Sequence, residues 1–179
     1  MRVFISINIP ENIRKEIVKI QNSLPEFIGK KTESENLHLT LKFLGDVDED
    51  KIEVIKDNLR RIKIGKFETN IDEIGFFDNS ESRFHSKRLI IWLHLKNCEK
   101  LQKEVDEVLH GFFEKEKRFM SHLTIARIKK INNKKKFLED LFNIKIKKEN
   151  FLVDKFYLMK SELTKKGPMY SVLNEFSLI

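Results

Sequence analysis

Two short stretches of this chain alternate apolar and polar residues and carry the same three letters. Residues 37–44 read LHLTLKFL and residues 121–128 read SHLTIARI. A period of two buries one face only when the backbone is extended, so each stretch is a half-buried strand. His38, Thr40 and Lys42 share one face of the first strand, and Leu37, Leu39, Leu41 and Phe43 share the other. In both strands the His and Thr stand on the polar face, roughly 6.6 Å apart along the backbone. The leucine between them points into a core and fixes the strand. The sequence therefore offers two rigid platforms, each presenting an imidazole and a hydroxyl.

The surrounding pattern supplies the rest of the elements. Residues 2–9, RVFISINI, read as a strand, and Pro10 sits where helices begin. Ile13, Ile17, Ile20 and Leu24 then recur at helical spacing. Gly45-Asp46 ends the first HLT strand, and Asp46 or Asp48 is placed to cap a helix striped by Ile52, Ile55, Leu59 and Ile62. Residues 66–77 read as a strand in which Gly75 marks a bulge or bend. The order then recurs. A strand at 88–96 precedes a helix capped by Asn97 and carrying Leu101, Val105, Val108 and Phe112. The strand at 121–128 follows, then a short helix with Phe137, Leu138 and Leu141. Strands are expected near 143–149, 151–162 and 169–178, the last two joined by a Lys-Lys-Gly-Pro turn at 165–168. This recurrence predicts one domain over 1–179, an approximate repeat of 1–87 and 88–179, folded as two similar α+β lobes about a pseudo-two-fold axis.

Composition narrows the function classes. A chain of 179 residues that is 40% hydrophobic, with 15 Phe, can bury a real core. Its single cysteine, Cys98, allows neither an internal disulfide nor a cysteine-built metal cage. No apolar run approaches the roughly 20 residues that span a bilayer, and the N-terminus lacks a secretory cleavage pattern, so a cytoplasmic protein without membrane contact is expected. The net charge of +7 favours a polyanionic partner. Residues 129–149 concentrate that charge, with eight Lys against three acids; they form either a solvated helix face or a rim that follows phosphates.

Two of the five histidines have a threonine two residues on. If the lobes face each other, His38, Thr40, His122 and Thr124 converge on one cleft. That set suits cleavage of a phosphodiester without a metal or other cofactor. One neutral imidazole takes a proton from the attacking oxygen and one protonated imidazole gives a proton to the leaving oxygen. The threonine hydroxyls donate to non-bridging phosphate oxygens as charge builds. The chain carries no HExxH and no His/Asp cluster at ligand spacing, which disfavours a metallo-hydrolase.

The contexts NLHLTLKFLGDV at 36–47, SHLTIARI at 121–128 and SELTKKGPMYSVLNEFSL at 161–178 resemble the two-histidine phosphoesterases over essentially the whole chain. The branch they resemble is the RNA 2′,3′-cyclic phosphodiesterases, also called 2′-5′ RNA ligases. The resemblance implies a bilobal α+β fold with antiparallel sheets around a central cleft. It implies hydrolysis of a terminal RNA 2′,3′-cyclic phosphate to a 2′-phosphate, with weak 2′-5′ joining as the reverse. It makes His38 the acid and His122 the base, an order the two like strands do not themselves fix. The residue before the second His is often Pro in that family and is Ser121 here, which alters the strand entry. Arg127, five residues after His122, is a candidate phosphate ligand. Phe43 and Tyr170 are candidate base contacts, although Phe43 shares a face with the core leucines. Arg83, in the ESRFHSKR segment with His85, Lys87 and Arg88, is a candidate RNA guide. His85, His94 and His110 lack the threonine and are read as structural. The expected partner is RNA with 2′,3′-cyclic phosphate ends, tRNA-derived ends included, and the expected state is a monomer. Phosphodiesters of 2′-5′ oligonucleotides, small cyclic nucleotides, and a non-catalytic RNA-binding module are the alternatives.

Overall fold

Five consecutive residues, Val3 to Ile7, are buried, so the first strand cannot have a solvated face. It lies inside a sheet. The computed structural model describes residues 1–79, 88–165 and 167–179. Along these run β1 (Arg2–Asn8), α1 (Glu11–Asn22), β2 (Ile28–Lys31), a 3-10 turn at Ser34–Asn36, β3 (His38–Asp46), α2 (Lys51–Leu59) and β4 (Phe67–Asp78). They continue with β5 (Leu89–Leu95), α3 (Glu99–Leu109), β6 (His122–Lys130), α4 (Lys134–Phe142), β7 (Asn150–Val153), β8 (Lys155–Thr164) and β9 (Gly167–Ser177). Arg83, His85 and Lys87 lie outside the described residues.

Two antiparallel sheets form, with strand orders β3-β1-β8-β9 and β2-β6-β5-β4-β7. β1 and β5 hold matching interior positions, each flanked by an HLT strand on one side. On the other side the chain crosses over: β4 pairs with β5, and β8 pairs with β1. Each sheet is thus completed by a strand from the opposite half of the sequence. One continuous apolar core joins β1, β3, β5, β6 and the inner faces of all four helices. No helix among the described residues is long and apolar enough to cross a membrane.

Both HLT strands carry the same irregularity. Ser6 stands opposite Thr40 but Ile5 stands opposite Lys42, which leaves Leu41 extra. Trp92 stands opposite Thr124 but Ile91 stands opposite Ala126, which leaves Ile125 extra. A bulge of one residue exchanges the two faces beyond it. Lys42 is therefore not on the face of His38 and Thr40. It is buried, 2.5 Å from Asp106 Oδ1 and 2.6 Å from the Glu114 carbonyl. Asp106 Oδ2 also accepts from Gln102 Nε2 at 2.7 Å and from the Glu116 amide at 2.9 Å. Burial raises the Asp106 carboxyl, but these three donors together hold it below its ordinary value. Phe43 moves the other way. Its side chain is 72% exposed and leaves the core face assigned to it by strict alternation.

Other local expectations change for identifiable reasons. Gly75 is no bulge, since it stands in regular register opposite Trp92. A Cβ there would lie 2.3 Å from the indole, so the glycine is what lets the ring lie on the strand. Asn97 does not cap α3: it adopts φ 64° and bonds the Glu68 carbonyl, and Cys98 stands at the helix start. Neither Asp46 nor Asp48 caps α2; Asp48 pairs with Lys51 instead. α3 stops at Leu109, leaving Phe112 beyond its end and exposed. The strand expected at 143–149 is absent, and the one expected at 151–162 is broken at Asp154 into β7 and β8, which serve different sheets. β2 has no counterpart among the strands expected from the sequence.

Gly75→Ala should destabilise the protein by about 1–3 kcal/mol through overpacking. Urea unfolding followed by fluorescence of Trp92, the single tryptophan, measures it. An unchanged midpoint would show that the indole yields without strain.

Candidate active-site cleft

The two histidines open β3 and β6, where each strand leaves a preceding loop. His38 Nδ1 lies 2.8 Å from the Asn36 carbonyl, and His122 Nδ1 lies 2.8 Å from the Met120 carbonyl. A carbonyl only accepts, so in both rings Nδ1 carries a proton and donates it. The basic nitrogen of each neutral ring is then Nε2. His38 Nε2 stands 3.1 Å from Thr40 Oγ1, whose hydroxyl can donate to it. The same i−2 carbonyl fixes both imidazoles in tautomer and in rotation.

Apolar rings pack around them. His38 packs against Phe4, at a centroid distance of 4.9 Å, and Tyr170, at 5.1 Å, and those two rings also meet each other at 5.1 Å. His122 meets the edge of Phe77 at 5.0 Å. Burial pushes the His38 imidazole below its ordinary value of 6.5; the bond to the Asn36 carbonyl opposes this, and the nearby Arg127 and His122 add to it. Burial lowers His122 as well, again opposed by its carbonyl partner and reinforced by Arg127. Both shifts favour the neutral ring at pH 7. The unfolded chain binds more protons than the folded one just below pH 6.5, so stability falls as pH drops through that range.

His38, Thr40, His122, Thr124, Arg127 and Tyr170 line one cleft of about 630 Å³, with Phe43 on its rim. Arg127 reaches it through the β6 bulge. Strict alternation would have placed its guanidinium with Leu123 and Ile125, both fully buried. The bulge is held from behind. The Ile125 carbonyl accepts from the Thr32 amide at 2.9 Å and from Gln21 Nε2 at 2.8 Å, and the Thr124 carbonyl accepts from Thr32 Oγ1 at 2.9 Å. Gln21 is 3% exposed and also donates to the Thr32 carbonyl. Arg88 and Lys129, each from one of the two basic segments, line the cleft as well. Gln21, Thr32 and the cleft cation Lys31 are contributors that the sequence motifs do not single out. The available signal is Gln21 itself, a polar residue beside Ile17, Ile20 and Leu24 on the apolar stripe of α1.

The remaining titratable candidates sit elsewhere. His94 pairs with Asp72 at 2.6 Å, and His110 follows the end of α3. Burial pushes the Cys98 thiol up to about 11, which leaves it no thiolate at neutral pH. Tyr170 is raised by burial, while Arg127 across the cleft lowers it.

The chain matches the family described as LigT like Phosphoesterase over residues 7–84 and 94–170. The RNA 2′,3′-cyclic phosphodiesterase of Methanocaldococcus jannaschii is 39% identical over 183 residues, covering 98% of this chain and 100% of the relative. That of Thermotoga maritima is 37% identical and covers 98% and 94%. A crystal structure of a Thermus thermophilus protein superposes with a TM-score of 0.82 at 25% identity, covering 99% of this chain and 98% of that one. Escherichia coli LigT, crystallised with 3′-AMP, gives a TM-score of 0.73 at 22% identity, covering 99% and 97%.

Arg127→Met should raise both imidazole pKa values, because it removes a cation that disfavours their protonation. Imidazole NMR titration reads both rings; unchanged values would place the guanidinium too far away to be felt.

Proposed function

The chain belongs to the LigT-like phosphoesterase family, and on that premise we propose that it hydrolyses a terminal RNA 2′,3′-cyclic phosphate to a 2′-phosphate, its two imidazoles moving both protons without a metal. The observation that carries this reading is the matched pair of histidines, each with Nδ1 committed to a backbone carbonyl and Nε2 left for the shared cleft.

The reaction starts when a phosphate anion enters and raises one depressed imidazole into its protonated form. His122, neutral, takes a proton from water through Nε2 as the oxygen attacks phosphorus. The bond to the 3′-oxygen breaks, and protonated His38 delivers its Nε2 proton to that oxygen. The product carries a 2′-phosphate and a free 3′-hydroxyl, and proton exchange with solvent resets the pair. Once His38 Nε2 bears a proton it no longer accepts from Thr40, so that hydroxyl is free to donate to a non-bridging oxygen. Thr124 does the same from the other side, and Arg127 holds the phosphate through two N–H groups. Phe43 and Tyr170 provide ring faces for the terminal base. The same ring opening with an RNA 5′-hydroxyl in place of water forms a 2′-5′ diester and frees the 3′-hydroxyl, a weak joining activity. The setting assigned by this reading is a cytoplasmic monomer acting on RNA ends, tRNA-derived ends among them.

Activity on a short RNA with a 2′,3′-cyclic phosphate should persist in excess chelator, and the product end should be a 2′-phosphate. Loss in chelator with rescue by a divalent ion would overturn the metal-free step. His38→Ala and His122→Ala should each lower kcat by about 10²–10⁴-fold, with little further loss in the double variant; losses that multiply would argue against a coupled acid and base. The profile of kcat/KM against pH should be a bell centred below 6.5, since both imidazoles are lowered in the free protein. The kcat profile should sit higher, because the bound anion raises them. A kcat/KM bell centred above pH 7 would contradict the burial argument.

A further inference from the structure

One side chain far from the HLT motifs grips the extra residue of β6. Regular pairing of β2 with β6 ends where Lys31 meets Ala126. The next residue of β6 is the bulged Ile125, and there side chains take over from the ladder. Gln21 stands in the last turn of α1, beside Ile17 and Ile20 on the buried face of the helix. Its Nε2 carries two hydrogens. One goes to the Thr32 carbonyl and the other to the Ile125 carbonyl, each at 2.8 Å. Thr32 completes the clamp, with its amide on the Ile125 carbonyl and its hydroxyl on the Thr124 carbonyl. Asn22, the next residue of the helix, accepts from Lys31 Nζ at 3.2 Å. The end of α1 thus holds β2 and β6 together at the residue where β6 leaves its register with β5.

Packing alone does not call for an amide at this position. A buried amide costs stability unless it is bonded, and a methionine would fill the same space without that cost. The amide adds a choice between two courses of β6. With Ile125 bulged, Arg127 faces the cleft beside Lys30, its cross-strand neighbour. With regular pleating, the residues after Thr124 turn over and the guanidinium is sent to the side of Leu123 and Ile125. The two carbonyls held by Gln21 and Thr32 flank Ile125 on both sides, so the clamp selects the bulged course.

We infer that Gln21 is a positioning residue for the proposed reaction: it fixes the Ile125 bulge and so aims Arg127 at the phosphate, while itself standing outside the cleft lining. The inference rests on the reading of Arg127 as the phosphate ligand.

The test is Gln21→Met, alone and combined with Arg127→Met. Three quantities are measured: binding of inorganic phosphate, NMR titration of both imidazoles, and kcat/KM on an RNA with a 2′,3′-cyclic phosphate end. Arg127→Met alone should lower kcat/KM by about 10²–10³-fold, as loss of a transition-state donor does. Gln21→Met should weaken phosphate binding, raise both imidazole pKa values in the same direction as Arg127→Met, and lower kcat/KM by about 10–10²-fold, the scale of a small misplacement. In the Arg127→Met background it should change none of the three. A lower unfolding midpoint with unchanged phosphate binding and pKa values is the signature of a merely structural amide and overturns the inference. Losses that multiply in the double variant overturn it too, because the amide then acts through another group. Should Gln21→Met not fold, Gln21→Asn replaces it, since it keeps a buried amide but withdraws it by one carbon from both carbonyls. Phosphate binding and the titration need no turnover, so a protein that fails to open the cyclic phosphate overturns the proposed reaction and still tests the bulge. If Arg127→Met leaves phosphate binding and both pKa values untouched, the role given to Arg127 falls and the inference falls with it.

Discussion

A single extra residue in each of two strands sets the geometry of the whole cleft. Leu41 and Ile125 sit one position after the threonines, and each exchanges the faces of the residues that follow it, up to a further register shift at Leu44 in β3 and at Lys129 in β6. Before the bulge, period two delivers His and Thr to one face. After it, the residues aimed at the same face are Phe43 and Arg127. Each strand thus turns its His, its Thr and one later side chain to the cleft, where regular pleating would bury that later one. Because the bulges fall at matching positions, the cleft has a matched pair of walls with different third members: an aromatic surface on one and a guanidinium on the other.

A bulge leaves backbone groups without ladder partners, and burial makes that costly. The β6 bulge is met by polar partners for its backbone, whereas the β3 bulge buries a charge that needs partners of its own. Behind β6 a neutral amide, Gln21, and the Thr32 backbone and hydroxyl satisfy the carbonyls of Thr124 and Ile125. Behind β3 the side chain turned inward is itself charged, and Lys42 has to be met by Asp106 and the Glu114 carbonyl. Removing one partner of such a buried pair costs about 3–5 kcal/mol, since a charge is left stranded. The charged arrangement also fastens the 110–121 loop, because Glu116 donates to the same carboxylate. That loop leads into Met120, whose carbonyl orients His122. A lysine on one HLT strand thereby bears on the loop that aims the histidine of the other.

The alternation in LHLTLKFL and SHLTIARI made the His and Thr positions legible, because those residues precede the irregularity. The same alternation misplaced Lys42 and Phe43, which follow it. The conflict was visible in principle. Carried through without a break, the pattern buries Arg127 beside Leu123 and Ile125, and a bulge is the simplest way to bring a charged residue back out. The helices were legible from their stripes, whereas their caps were not. Asn97 and Asp48 are good capping residues on propensity, but Asn97 is used in a left-handed turn and Asp48 in an ion pair. β2 is four exposed residues with no apolar signal. It exists because β6 offers it an edge, and tertiary pairing of that sort leaves no local trace.

The crossing of β4 and β8 between the sheets bears on how the chain reaches its native state. β1 emerges roughly 150 residues before the strand that covers its second edge, β8, which spans residues 155–164. Until then an apolar strand built for the interior of a sheet has one open edge, and the wall carrying His38 is incomplete. Neither half can mature as a unit, so ordering is concentrated in long-range pairings that close only once residues 155–164 are made. Catalytic competence consequently arrives all at once, with no stage at which a half-formed cleft could engage RNA.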